Sequence, residues 1–144
     1  MSKEELTTLL LSNGGMLIGS SAMMLPNAAD VDILIRKQDL DAIPELRWGK
    51  LFTKHVSDYG EHSILGMAAL GVPNVDILVA ESEKQFNEWE FATMAMTLAR
   101  RYDDEDSLNN KDVRVRFFEM MRAAFRELLS SSSSSVNSND DLPF

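Results

Sequence analysis

The sequence predicts a small α/β (α+β) domain followed by a disordered tail, and three observations predict it. Short β-branched runs broken by Gly, Pro and Asn occupy residues 1–80. Two stretches with helical period occupy residues 81–129. From Ser130 onward apolar residues almost vanish. A chain of 144 residues fits one domain, here 1–129, with the tail at 130–144. Its 44% apolar and 26% charged residues exclude a wholly disordered, collagen-like or fibrous heptad chain.

Ser2-Lys-Glu-Glu5 has the spacing of a capping box, and Leu6, Leu9 and Leu10 follow on one stripe, so a helix opens the chain. Asn13-Gly14-Gly15 ends it. Met16-Leu17-Ile18 is a buried strand that stops at Gly19-Ser20, and Ser21 to Leu25 makes one helical turn before Pro26. Val31 to Ile35 is a second strand. Asp39 to Leu46 is a short helix weakened by Pro44. Leu51 to Val56 and Ser63 to Leu70 are strands joined at Asp58-Tyr-Gly60, and Val75 to Ala80 is a strand entered through Gly71-Val-Pro-Asn74. Phe86, Trp89, Met94 and Leu98 mark one helix. Val113, Phe117, Met121, Ala124, Phe125 and Leu128 mark another, and Asp103-Asp-Glu-Asp106 is the solvated link between them.

Composition narrows the chemistry. Cysteine is absent, which excludes disulfides, thiolate metal sites and a cysteine nucleophile. A net charge of −9 disfavours non-specific binding to phosphate backbones. No stretch reaches the roughly 18 apolar residues of a membrane span, and the start lacks the order of a secretory signal. A cytoplasmic protein without a membrane partner is the expectation.

Asp30-Val31-Asp32 stands at the front of an apolar strand, where residues i and i+2 share a face. Asp76 opens a second such strand, Val75 to Val79. If the two strands are neighbours, three carboxylates meet at one end of the sheet. Gly19-Ser20-Ser21 sits between a strand and a helical turn, where backbone N–H groups and hydroxyls can hold phosphate oxygens. Acidic ligands with a phosphate loop suit nucleotidyl transfer, in which two Mg²⁺ ions clamp an in-line displacement.

These residues, in this order and spacing, resemble the DNA polymerase beta-type nucleotidyltransferase superfamily, above all its minimal members. The resemblance covers roughly residues 16–80 and implies a small mixed sheet with helices. By that resemblance Asp30, Asp32 and Asp76 are the catalytic residues and the ligands of two Mg²⁺ ions, with Mn²⁺ possible. Asp76 helps activate the acceptor, and Gly19, Ser20 and Ser21 bind the nucleotide. The implied substrates are an NTP and a hydroxyl acceptor, whether a protein, a small molecule or an RNA end. Many members carry an Arg after the Gly-Ser; here Ala22-Met-Met-Leu25 stands there, leaving Arg36, Lys37, Lys50 and Lys54 as candidates for that charge.

The segment Asp140-Asp141-Leu142-Pro143-Phe144 resembles the acidic tip of bacterial single-stranded DNA-binding proteins. Phe144 offers an aromatic plug with a terminal carboxylate, Pro143 restricts the backbone, and the two acids suit a basic rim. A flexible linker from Ser130 to Asp141 would reach about 20 Å. The resemblance implies docking on host replication and repair proteins that receive that tip, and it suggests a bacterial virus or mobile element acting in the host cytoplasm. Two alternatives to catalysis follow: a non-catalytic effector of the same fold that mimics the tip, and an antitoxin of nucleotidyltransferase type.

Other features carry less. His55 and His62 have no acid in metal-ligand register, so a zinc site is not expected. Methionines are expected to fill the core. Asp112, Glu119 and Glu127 lie near Arg114, Arg116, Arg122 and Arg126, which predicts a solvated, ion-paired helix face.

Overall fold

Reciprocal capping starts the first element. The Ser2 hydroxyl accepts from the Glu5 N–H at 3.1 Å, and the Glu5 carboxylate accepts from the Ser2 N–H at 3.4 Å. The resulting helix α1, Lys3–Ser12, buries Leu6 and Leu10. The computed structural model describes residues 1–22, 30–56 and 64–135, with the backbone alone at Ser20 and 131–135. The predicted turn at Asp58-Tyr-Gly60, the stretch from Met23 through Pro26, His62 and the segment Asp140 to Phe144 lie outside the described residues.

Strands β1 (Met16–Ile18), β2 (Val31–Arg36), β3 (Leu51–Val56), β4 (Leu65–Ala69) and β5 (Val75–Ala80) form one mixed sheet in the order β1-β2-β5-β4-β3. Only β2 and β5 are parallel; the other neighbours are antiparallel. Alternation divides the core between two faces. Ile33, Ile35, Val75, Ile77 and Val79 pack with Leu6 and Leu10 of α1 on one side. Leu34, Leu78 and Ala80 pack with Phe86 and Trp89 on the other, under helix α4, Glu83–Arg101. Among the described residues no helix is long and apolar enough to cross a membrane.

The short helix predicted over Asp39 to Leu46 is two pieces. Helix α3 spans Lys37–Asp41, after the one-turn α2 (Gly19–Ala22), and a 3-10 turn spans Pro44–Leu46. Pro44 lacks an N–H and would clash with the preceding turn, so it ends one helix and sits at the start of the next.

The predicted stripe of α4 also splits. Phe86 and Trp89 are buried, but Met94 and Leu98 are exposed, and Ala92, Thr93 and Met96 face inward instead. The five residues from Trp89 to Met94 turn a helix by about 140°, so the two cannot share a face. Methionine is accordingly divided between core and surface: Met96 is buried, whereas Met94 and Met120 are exposed.

Helix α5, Lys111–Ser135, continues past the predicted junction at Ser130, as serine costs a formed helix little per residue. Its buried side takes only part of the predicted stripe: Phe125 packs on α4, whereas Val113 and Leu128 are exposed. Phe118 meets Trp89 edge-on with ring centroids 4.9 Å apart, and Phe125 meets Phe91 at 5.1 Å. Between these contacts Arg122 is buried, with its guanidinium 4.5 Å above the Trp89 ring and its Nε donating to Glu88 at 3.0 Å. Arg126 pairs with the same carboxylate. Arg122 therefore departs from the solvated face expected of it, because its acid comes from α4 and not from its own helix.

Breaking this pair leaves the buried Glu88 under-compensated. Arg122→Ala is expected to destabilise the protein by about 3 kcal/mol in urea melts. The double variant Glu88→Leu with Arg122→Met should recover most of that loss. A single-variant effect below about 0.5 kcal/mol would contradict this account of helix docking.

Candidate functional site

Strands β2 and β5 run the same way, and their register pairs Asp32 directly with Asp76. Adjacent strands lie about 4.8 Å apart, so the two carboxylates stand side by side. Both share the face of Leu34 and Leu78, turned toward α4. The start of β2 is fixed from two sides. The Val31 N–H donates to the Asn74 carbonyl at 2.9 Å. The Ser21 hydroxyl donates to the Asp30 carbonyl at 3.0 Å and accepts from the Asp32 N–H at 3.2 Å. Ser21 is thus engaged in holding the strand that carries the acids.

Gly19 lies where β1 turns into α2, at φ +62°. A Cβ there would stand 3.2 Å from Asp32 Oδ2, in a conformation that side chains rarely adopt. Glycine thus brings bare backbone against the Asp32 carboxylate. The Ser20 backbone continues α2 from it. Asp30 stands exposed just before β2. The register brings Asp32 and Asp76 together, and Asp30 stands at the approach, near enough for its charge to act on Asp32. Among the described residues no three acidic or histidine side chains close into a metal-ligand group.

Asp32 is pushed up to about 6, first by burial, then by the charges of Asp76 and Asp30; Lys54 and His55 oppose the rise. Those two residues come from β3, with β4 lying between them and β5. The Lys54 ammonium is 3.2 Å from Asp76 Oδ1, and His55 Nε2 is 3.6 Å from Asp76 Oδ2. Two devices make that reach. Thr53 pairs with Met67 and His55 with Gly66, so Lys54 is the extra residue of a β-bulge, and a bulge re-aims side chains. Gly66 then clears the way: a Cβ on it would lie 2.5 Å from the His55 ring.

His55 has no acid in metal-ligand register along the sequence; in the fold Asp76 reaches it from two strands away, without closing a metal-ligand group among the described residues. Lys54 was one of four candidate cations, and it is the one the structure sets on Asp76. A lone Gly66 inside an apolar strand was the available sequence signal, since glycine there marks a close approach.

Beside Asp32 and Gly19 a cavity of ≈ 240 Å³ opens under α5. Trp89, Leu78 and Phe118 form apolar walls, and Lys111 and Arg114 stand on its α5 side. The Arg114 guanidinium donates to the carbonyls of Leu108 and Asn109 at 3.1 and 2.7 Å.

The acids suit a hard divalent cation. The donors are oxygens, and two of the carboxylates sit side by side with their mutual repulsion only partly offset by Lys54 and His55. Asp76 Oδ1 is buried and makes no hydrogen bond among the described residues, despite the ammonium nearby. Comparison with protein-family models, curated proteins and solved structures found no significant match.

The raised Asp32 group has a definite consequence for stability. Between its ordinary 3.8 and about 6 the folded protein holds a proton that the unfolded chain has released. Stability therefore falls as pH rises through that window. Without divalent cations, Asp32→Asn should be more stable than the parent at pH 7.5 by about 1–2 kcal/mol, solvent screening having reduced the full effect. The difference should close below about pH 4. Thermal melts across this range check it, and a gap independent of pH would contradict it.

Proposed function

We propose that the protein is a Mg²⁺-dependent nucleotidyltransferase that moves a nucleoside monophosphate from an NTP to a hydroxyl. The observation that carries this reading is the direct pairing of Asp32 with Asp76 on parallel strands, next to the bare backbone of Gly19. The order and spacing of Gly19, Ser20, Asp30, Asp32 and Asp76, which carry the sequence resemblance, are its second support. Asp32 and Asp76, with Asp30 at the approach, would hold the cations, which supply charge neutralisation at the phosphates and acidify the attacking hydroxyl. Mn²⁺ suits the same oxygen donors.

The acceptor oxygen forms a bond to the α-phosphorus while the bond from that phosphorus to the β-bridging oxygen breaks, and pyrophosphate leaves. The acceptor proton passes to a carboxylate oxygen of Asp76, which lies in the same cluster. Gly19 and the Ser20 backbone face the phosphates, and Ser21 keeps β2 in place. The apolar cavity walled by Trp89 and Phe118 accommodates the nucleoside, with Lys111 as a cation at its mouth. Lys54 holds Asp76 in position from the far side. The net charge of −9 favours a protein, a small molecule or an RNA end over a long nucleic acid as acceptor. A second role rests on Asp140 to Phe144, proposed to dock on host proteins with a basic-rimmed apolar pocket.

Transfer of α-labelled NTP to components of a bacterial extract tests the catalytic reading. Asp32→Ala and Asp76→Ala should each lower it by at least about 100-fold, as each removes charge-stabilising groups from the transition state. Ser21→Ala should cost less, since it acts only through strand position. Equal transfer by the parent and the Asp32 variant would overturn the proposal, and so would no transfer with any of the four NTPs.

A further inference from the structure

Helix α5 carries a second apolar line, distinct from the side that packs on α4. Val113, Phe117, Met120, Ala124 and Leu128 follow one another at steps of three or four residues, which aligns them along one face. Phe118, Arg122 and Phe125, which engage α4, lie about a third of a turn away. Val113 is 39% exposed, Met120 56% and Leu128 58%. Such a row of large apolar side chains on an acidic protein marks an interaction surface.

The row is complementary to itself. Turned antiparallel about a two-fold axis between Met120 and Met121, it sets Val113 against Leu128 of the second copy and the large Phe117 against the small Ala124. Arg116 and Glu127 are both exposed and lie on the same flank of the row. Like flanks meet in an antiparallel helix pair. Arg116 then falls within two residues, about 3 Å along the axis, of Glu127 in the second copy. The symmetry repeats the pair, giving two ion pairs per interface.

We infer that α5 is the interface of an antiparallel, two-fold homodimer. The inference is independent of the proposed activity, because Lys111 and Arg114 at the cavity take no part in the row. The partner is a second copy because the matched sizes and opposite charges lie on one helix at positions that a two-fold axis exchanges.

Sedimentation equilibrium of the full chain, in moderate salt to screen the net charge, tests it. The parent is expected to be a dimer, and Met120→Glu a monomer at the same concentration. Arg116→Glu should raise the dimer dissociation constant at least about tenfold, because it sets two carboxylates together. The charge exchange, Arg116→Glu with Glu127→Arg, should restore it to within about threefold. Circular dichroism should show the native fold in each variant, since the altered side chains are exposed. A parent monomeric throughout the accessible range overturns the inference. So does a dimer that is indifferent to Met120→Glu, or a charge exchange that fails to restore the loss.

Discussion

Two carboxylates on neighbouring parallel strands repel each other, and much of the surrounding structure answers that repulsion. Unit charges about 5 Å apart at an effective dielectric near 20 repel by about 3 kcal/mol. The register of β2 with β5 leaves Asp32 and Asp76 no freedom to separate, because a slip by one residue would turn both hydrophobic faces of β2 inside out. Relief comes from elsewhere. Asp32 takes up a proton more readily, and Lys54 with His55 reaches Asp76 across β4. The bulge in β3 and the absence of a side chain at Gly66 both serve that reach. A hydrophobic sheet that sought only stability would place apolar residues at these two positions.

The parts of the fold set by local pattern were legible in the sequence. The capping box at Ser2 to Glu5 and the β-branched runs at Val31 and Val75 depend on neighbours within a few residues, and each appears where the pattern puts it. Asp32 and Asp76 were legible as a candidate pair, although their register follows from strand order, which a run of residues does not encode. Lys54 and His55 were harder to see. Consecutive strand residues ordinarily point to opposite faces, and only a bulge brings both toward one acid.

Helices α4 and α5 were misread for a related reason. Apolar spacing shows that a helix has an apolar face, but not which of two faces meets the body. In α5 the inward side holds Arg122, whose charge argues for solvent until Glu88 of α4 is placed beside it. Val113 and Leu128 read as core in the sequence and stand exposed in the structure. In this way one buried ion pair determines which face of α5 is left exposed.

The central claim is that Asp32 and Asp76 form a site for divalent cations. Titration of Mn²⁺ into the full chain with an NTP present, followed by electron paramagnetic resonance of the free ion, tests it most directly. The account predicts saturable binding by the parent. It also predicts affinity lower by at least about tenfold when either acid becomes Asn, because each substitution removes a charged ligand from the ion. Equal Mn²⁺ binding by the parent and the Asp32→Asn, Asp76→Asn double variant, or no binding by the parent beyond that of the nucleotide itself, would contradict it.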